Sequence, residues 1–193
     1  MRSSFSIGRS GMALAFLVTL FTLALTARAA GTLPAAGEYR VVQEGSAVTF
    51  NVTNFAVVSV DGRFDTFSGK VTVGGTLATS KIEATIDVRS IDTSNVSRDN
   101  HLRTGDYFDV AKYPSMTFKS SQLWGTPENF GMKGALTIKG ITKEVTFSGR
   151  IEDSGAIRVE TKIDRTAFGI TSGPTIKNEV RLKLLIKLAN AGS

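Results

Sequence analysis

The sequence has 193 residues, a formal net charge of +6 and no cysteine. Without cysteine the chain has no disulfide framework and no thiol for a lipoprotein anchor. Its one histidine, His101, excludes a metal site of two or three imidazoles and leaves a Ser-His-Asp arrangement no choice of base.

The N-terminal 29 residues have the composition of a leader. Two arginines precede an apolar run from Met12 to Leu25, and Ala27-Arg28-Ala29 places small residues where a signal peptidase cleaves. The alternative is a single membrane anchor, but the run is shorter than the roughly 20 residues that cross a bilayer. We therefore predict a cleavable signal peptide over residues 1–29, a periplasmic location and one domain over residues 30–193.

Much of the positive charge belongs to this leader. Its removal takes away three arginines and no acid, which leaves 20 basic and 17 acidic residues and a net charge of +3. The remaining Lys and Arg residues are scattered singly along the chain, so nucleic-acid binding has little support. Peripheral contact with an anionic membrane surface stays open as an alternative.

From Glu38 onwards the chain alternates apolar and polar residues, which is the pattern of strands buried on one side. Turn signals separate eight or so such strands, and no long helical pattern interrupts them. The pattern predicts an all-β domain, with a sandwich and a closed barrel equally compatible. The later alternating faces are Ile82 to Val88, Met116 to Ser120, Met132 to Ile138, Val145 to Ile151, Ile157 to Ile163 and Val180 to Leu188.

Two irregularities fall near the start of the domain. The apolar stretch from Phe55 to Val60 predicts a turn that packs back onto the domain, with the bend marked by Asp61-Gly62. The apolar spacing then slips by one residue between Phe64 and Phe67, which predicts a bulge or a sharp bend in a strand.

The alternation breaks between Ile86 and Phe118, where charged residues and turn formers crowd together. Residues 92–95 favour a helix start, which predicts a short helix from about Val96 to Arg103. We expect one further helical turn between Asp106 and Val110, before Pro114 ends the segment. The sequence therefore predicts a polar connection with an apolar underside that folds over the domain as a cap.

The same segment resembles the signature of the YceI-like family, and three other segments match further motifs in the right order. The resemblance spans about Gly37 to Leu188. The four segments are SIDTSNVSRDNHLRTGDYFDVAKYPSMTFKS, GALTIKGITKEVTF, IDRTAFGI and VDGRFDTFSG.

The resemblance implies an eight-stranded antiparallel lipocalin-like barrel with a short helical cap. It also implies a protein that binds a polyisoprenoid or fatty-acid-like chain in an apolar tunnel, and we expect this protein to carry or sequester such a chain. No cofactor is expected beyond a bound isoprenoid quinone or other lipid, and the protein is expected to be a monomer or a homodimer.

An eight-stranded barrel either is filled by side chains or holds one small ligand, so the residues on the inner face decide between the two. The predicted inner face mixes large aromatic residues with small ones, namely Gly69, Ala84, Gly134, Gly149 and Thr161. Either a ligand tunnel or a filled core in a structural or stress-related interaction protein fits this mixture. The predicted ligand-binding residues are Phe50, Val52, Phe64, Phe67, Ile86, Phe108, Phe118, Met132, Leu136, Phe147, Ile163, Phe168, Leu182 and Leu184.

Five polar residues are candidates for contact with a ligand head group at the barrel mouth, namely Asn54, Arg98, Asp99, His101 and Arg103. The alternative is that the charged ones pair with each other and with Asp92, Asp106 or Asp164-Arg165, and hold the cap in place. Asn54 stands where many family members carry a histidine, and an amide cannot titrate near neutral pH or serve as a good metal ligand. No nucleophile and base pair stands out, so the sequence does not predict an enzyme.

Overall fold

Strands account for most of the regular structure. A computed structural model describes residues 31–55 and 57–192, so the predicted signal peptide over residues 1–29 lies outside the described residues. Two 3-10 helices, Val88–Ser90 and Arg165–Phe168, accompany ten strands and one α-helix. In chain order these are β1 Gly37–Asn54, β2 Val58–Phe64, β3 Phe67–Val73, β4 Lys81–Asp87, β5 Ile91–Asp92, α1 Val96–Arg103, β6 Ser115–Thr126, β7 Asn129–Ile138, β8 Ile141–Ile151, β9 Ile157–Asp164 and β10 Ile176–Asn190.

Eight of these strands form a closed antiparallel ring. The order is β1, β3, β4, β6, β7, β8, β9 and β10, and β10 returns to pair with β1. The last pairing is long, from Tyr39 opposite Asn190 to Asn54 opposite Ile176. Closure leaves no free sheet edge in the ring. The predicted eight-stranded barrel is confirmed, and the sandwich is excluded.

The predicted bend between Phe64 and Phe67 is confirmed. β2 ends at Phe64 and β3 begins at Phe67, yet both strands pair with the same long neighbour, β1. The two residues between them redirect the chain, so β2 pairs with the C-terminal part of β1 and β3 pairs with its N-terminal part. Such a break allows a sheet to curl tightly.

The prediction that residues Phe55 to Val60 form a turn packed back onto the domain is wrong. β2 already begins at Val58, and its Asp61 and Gly62 pair with Asn51 and Phe50 inside the strand. The turn of the β1–β2 hairpin lies at Phe55, which is exposed and does not pack back onto the domain. The residues Asp61-Gly62 therefore do not mark a bend.

The cap, residues 93–114, contains the predicted helix with the predicted bounds, Val96–Arg103. The Asn95 side chain caps it by accepting a hydrogen bond from the Arg98 backbone N–H at 3.0 Å. The expected further helical turn is wrong, because residues 105–108 and 110–112 form turns. These turns fold back on the helix, where the Phe108 N–H donates to the Leu102 carbonyl at 3.0 Å.

The cap, the β1–β2 and β7–β8 hairpins and the loop of residues 169–175 gather at one end of the barrel, here called the cap end. Lys139 Nζ donates to Gly105 O at 2.9 Å, which ties the β7–β8 hairpin to the cap. Lys139 and Gly140 both have positive φ, 50° and 74°, as a two-residue hairpin turn requires. The β3–β4, β6–β7 and β8–β9 connections lie at the opposite end. Within the described residues, no helix is both long and apolar enough to cross a bilayer.

Candidate functional site

The barrel encloses a cavity of about 210 Å³ with an almost entirely apolar wall. This volume exceeds that of an apolar void of about 150 Å³ that can bind benzene. Thirteen of the fourteen predicted ligand-binding residues lie in the wall: Phe50, Val52, Phe64, Ile86, Phe108, Phe118, Met132, Leu136, Phe147, Ile163, Phe168, Leu182 and Leu184. Phe67 is not in the wall and is buried in the surrounding core. Ligand contact by these residues stays a prediction.

The cavity is elongated along the barrel. On β10 its wall runs from Ile176 to Ile186. At about 3.3 Å per strand residue this segment covers about 33 Å, and a strand tilt of about 40° reduces it to about 25 Å along the barrel axis. The cavity therefore has the proportions of a narrow bore.

On the β7–β8 side of the barrel, aromatic rings occupy the space beside glycines. A Cβ atom added at Gly134 would lie 2.6 Å from Phe118 Cζ, and one added at Gly149 would lie 2.5 Å from Phe130 Cζ. The rings of Phe118 and Phe147 pack edge to face with centroids 5.1 Å apart. On this side the small residues leave no room for a ligand, because aromatic rings occupy the space beside them. The filled-core alternative therefore describes this side of the barrel.

Along β4, β9 and β10 the inner face stays open. Ala84, Ile163 and Leu182 line the cavity and are only partly buried. Ala84 lies opposite Gly69 on β3, so small side chains meet across this pair of strands. The two expectations for the inner face therefore apply to different sectors of one barrel: aromatic packing fills one sector and a bore follows the other.

The cap forms part of the cavity wall through Leu102, Tyr107 and Phe108. The Phe108 ring packs edge to face against Phe64, with centroids 6.2 Å apart. The Tyr107 ring is buried and packs in the same manner against His101 at 5.1 Å. The apolar underside predicted for this segment thus closes one end of the bore.

The polar candidates on the cap hold its backbone. Asp99 is buried and its Oδ1 accepts from the backbone N–H and the hydroxyl of Thr93 at 2.9 and 2.5 Å. The Arg98 guanidinium donates to the Thr93 hydroxyl oxygen and to the Thr93 carbonyl, both at 2.7 Å. Arg103 donates to the carbonyls of Arg89 and Ile91 at 2.9 and 2.7 Å.

None of the five mouth candidates lies in the cavity wall. His101 is exposed, and its Nε2 lies 3.4 Å from Asp106 Oδ2. Asn54, at the end of β1, accepts a hydrogen bond from the Phe55 N–H at 3.0 Å. The structure thus gives each candidate a partner within the protein, and contact with a ligand head group stays a prediction.

Arg165 is a residue of the site that the sequence reasoning assigned only to cap pairing. It lies in the cavity wall, its relative exposure is 6%, and its guanidinium donates to five backbone carbonyls. The acceptors are Lys177 O, Ile170 O, Ser172 O, Gly173 O and Ile176 O, at 2.6 to 3.2 Å. Because every N–H of the guanidinium is used, the buried charge organises the loop of residues 169–175. The signal available in the sequence was the motif IDRTAFGI.

The 3-10 helix that carries Arg165 begins with a capping carboxylate. Asp164 Oδ1 accepts from the Thr166 hydroxyl at 2.6 Å and from its backbone N–H at 2.8 Å. These hydrogen bonds, the hydroxyl one first, hold the pKa of Asp164 below its ordinary value. No group of three or more His, Asp or Glu residues in the described part of the chain is arranged to hold a metal ion.

Comparison with known proteins agrees with this architecture. The model of the YceI-like domain family matches residues 39–188. The chain is 31% identical over 181 residues to Protein YceI of Salmonella newport, which covers 86% of this chain and 94% of that protein. It is 33% identical over 123 residues to a UPF0312 protein of Pseudomonas aeruginosa, and the match spans 62% of this chain and only 64% of the length of that relative.

Solved structures show the same barrel. BcnA of Burkholderia cenocepacia superposes with a TM-score of 0.71 at 26% identity, over 78% of this chain and 99% of that one. A polyisoprenoid binding domain from Saccharophagus degradans superposes with a TM-score of 0.62 over 79% of this chain and 98% of that one. At 18% identity the latter likeness shows the fold alone.

Proposed function

The chain belongs to the YceI-like domain family, and on this basis we propose that it binds one long-chain amphiphile, such as a polyisoprenoid, in the barrel cavity. The protein would carry or sequester this molecule in the periplasm. The observation that carries the proposal is the elongated apolar cavity itself. The proposal does not depend on the Saccharophagus domain, which shares only the fold.

An apolar bore provides affinity without specific polar contacts. Each methylene group moved from water into the cavity contributes about 0.8 kcal/mol, so a tail of about 15 buried carbons gains about 12 kcal/mol before the costs of association. Fifteen of the wall residues are aliphatic or aromatic and only partly buried, which leaves surface for such a tail to cover.

The length of the bore favours a long chain. The hydrocarbon core of a bilayer is about 30 Å thick and contains two leaflets, so an ordinary acyl tail spans about 15 Å. The cavity wall extends about 25 Å along the barrel axis by the strand geometry given above. A tail longer than that of a common fatty acid would fill it better, which supports an isoprenoid chain over a short lipid.

Selectivity should depend on the tail more than on the head group. The one charged side chain that lines the cavity and is buried, Arg165, already donates all its N–H groups to backbone carbonyls. It therefore has no donor left for a phosphate or a hydroxyl. Ligands with equal tails and different head groups are expected to bind with similar affinity.

Titration of delipidated protein tests the proposal. An isoprenoid quinone, a polyprenol and a fatty acid are added separately, and quenching of the intrinsic fluorescence or displacement of a fluorescent lipid is followed. Saturable one-to-one binding of at least one of the two isoprenoids, tighter than that of the fatty acid, is expected. Flat titrations for all three would refute the proposal.

A second measurement identifies the natural ligand. Protein purified from its own host is extracted with organic solvent, and the extract is analysed by mass spectrometry. One lipid species at a stoichiometry near one per chain is expected. The periplasmic location is tested separately by cell fractionation and by the mass of the N-terminus, which should start near Ala30.

A further inference from the structure

Exposed apolar side chains concentrate at the cap end of the barrel. Single exposed apolar residues are ordinary on a soluble protein, whereas a cluster marks an interaction surface. Three neighbouring residues of the β1–β2 hairpin, here called the apolar tip, are exposed: Phe55 by 65%, Val57 by 84% and Val58 by 50%. The exposed large apolar side chains elsewhere in the described residues are Val96, Trp124 and Ile141.

The backbone holds the apolar tip in an outward-facing conformation. Phe55 has a φ of 49°, in the left-handed region that is unfavourable for a bulky residue. Its N–H donates to Thr175 O at 2.9 Å and to Asn54 Oδ1 at 3.0 Å, and these bonds stabilise the turn. The exposure is therefore a fixed feature of the hairpin, maintained at a cost in backbone conformation.

The apolar tip continues the wall of the cavity. Val52 and Val180 face each other across β1 and β10, two residues before the end of β1, and both line the cavity. Ile176, opposite Asn54 at the base of the tip, also lines it. An apolar surface thus runs from the interior of the barrel to the hairpin tip.

Three lysines lie at the cap end. Lys177 follows the residue that pairs with Asn54, Lys139 binds the carbonyls of Gly105 and Gly169, and Lys112 lies over the Tyr113 ring. Within the described residues none of the three lysines forms an ion pair with a carboxylate. Lys112 is attracted by Asp109 and the Lys139 ammonium donates to the cap, whereas Lys177 is exposed beside the base of the tip and its charge is available to anionic groups outside the protein.

We propose that the apolar tip, together with Lys177, docks onto the surface of an anionic lipid bilayer. Phe55, Val57 and Val58 would enter the interfacial region while Lys177 contacts an anionic head group. Docking would place the cap end of the bore against the membrane. Its use for lipid transfer rests on the proposed function, but the docking itself does not.

The size of the tip favours a membrane over a protein partner. A stable protein interface buries roughly 800 Å² on each side. Three exposed side chains on one hairpin tip offer much less than this. A bilayer accepts a small exposed apolar group beside a cation, since insertion needs no matching surface.

Vesicle co-sedimentation tests the proposal. Lipid-free protein, processed at its N-terminus as verified by mass spectrometry, is mixed with vesicles of phosphatidylglycerol and phosphatidylethanolamine or with vesicles of phosphatidylcholine. Preferential binding to the anionic vesicles is expected, and salt should weaken it. The double variant Phe55→Asn/Val57→Ser should partition about tenfold less, and Lys177→Gln about fivefold less. Asparagine is chosen at Phe55 because it tolerates a positive φ.

Two variants at the opposite end serve as controls. Trp124→Ser removes an apolar side chain exposed by 42%, and Lys81→Gln removes an exposed cation; both should bind vesicles like the wild type. Equal binding by the tip variants and the wild type, or no binding of the wild type to anionic vesicles, would overturn the proposal. So would a dimer that dissociates when the tip is changed, because the occupant would then be a second copy.

The vesicle assay and the cavity titration test separate proposals, and a negative result in one does not refute the other. The vesicles contain no isoprenoid, so absence of vesicle binding would leave the cavity proposal intact. Flat lipid titrations would leave the docking result intact. Thermal unfolding of the tip variants should match the wild type, since the altered side chains are exposed.

Discussion

Replacement of Ala84 by leucine tests whether the bore is open at mid-height. Ala84 lines the cavity on β4, and the change adds about three methylene-sized groups. If they enter unoccupied space, burial contributes about 2.4 kcal/mol, and ordering the leucine side chain costs about 0.5 to 1 kcal/mol. We therefore expect the free energy of unfolding of the ligand-free protein to rise by about 1 to 2 kcal/mol.

The same leucine should weaken ligand binding, because it occupies the space of a comparable length of the ligand tail. A loss of about 2.4 kcal/mol corresponds to an affinity about 50-fold lower. Urea unfolding of the ligand-free protein measures the first effect, and titration with a polyprenol measures the second.

Gly134→Ala is the matched control on the filled side of the barrel. The added methyl group would meet the Phe118 ring at 2.6 Å, so overpacking should lower the free energy of unfolding by about 1 to 3 kcal/mol. If Ala84→Leu also destabilised the protein by this amount and left the affinity for polyprenol unchanged, the assignment of an open sector to β4 would be wrong.

Three further predictions concern the cap end. Arg165→Met should lower the free energy of unfolding by at least about 3 kcal/mol in urea titrations, because it removes five hydrogen bonds to buried or partly buried backbone carbonyls; Arg165→Lys should lie between it and the wild type. Asn95→Ala should cost about 1 kcal/mol in the same assay through loss of the helix cap. Because hydrogen bonds from Thr166 lower the pKa of Asp164 below its ordinary value, its contribution to stability is complete above the ordinary pKa of an aspartate and is lost as the pH falls through the folded-state pKa. Asp164→Asn should therefore flatten the dependence of the urea midpoint on pH below about 4.

The strands could be predicted because their determinants are local, whereas the closed barrel was predicted from the resemblance to the YceI-like family. Alternation with a period of two places every second side chain inside, and the slip between Phe64 and Phe67 locates the break between β2 and β3. The helix bounds follow from Asn95 as a cap. By contrast, the stretch beginning at Phe55 was expected to be buried because it is apolar, and nothing local in the sequence indicates that a hydrogen bond to Thr175 holds it outward.

The site could be predicted only in part, because occupancy of a barrel interior depends on contacts between distant strands. Alternation placed most of the predicted strand residues on the inner face, but it could not tell which small residues leave space. Gly134 and Ala84 look equivalent in the sequence, yet the Phe118 ring covers the first, whereas the second faces the cavity. This difference arises from strand register and rotamers across the sheet, which periodicity does not encode.

Several charged residues of the recognisable motifs bind backbone groups of the protein, and of these only Arg165 lies in the cavity wall. In the cap motif Arg98, Asp99 and Arg103 bind backbone groups of the cap and its flanks, and Arg165 of the IDRTAFGI motif does the same for the loop of residues 169–175. Charged groups with fixed hydrogen-bond geometry tolerate few replacements, whereas a volume of apolar side chains can be built in many ways. The charged residues of the motifs therefore specify how the end of the barrel is closed, and we expect selectivity for the tail of the proposed ligand to depend on the apolar residues of the wall.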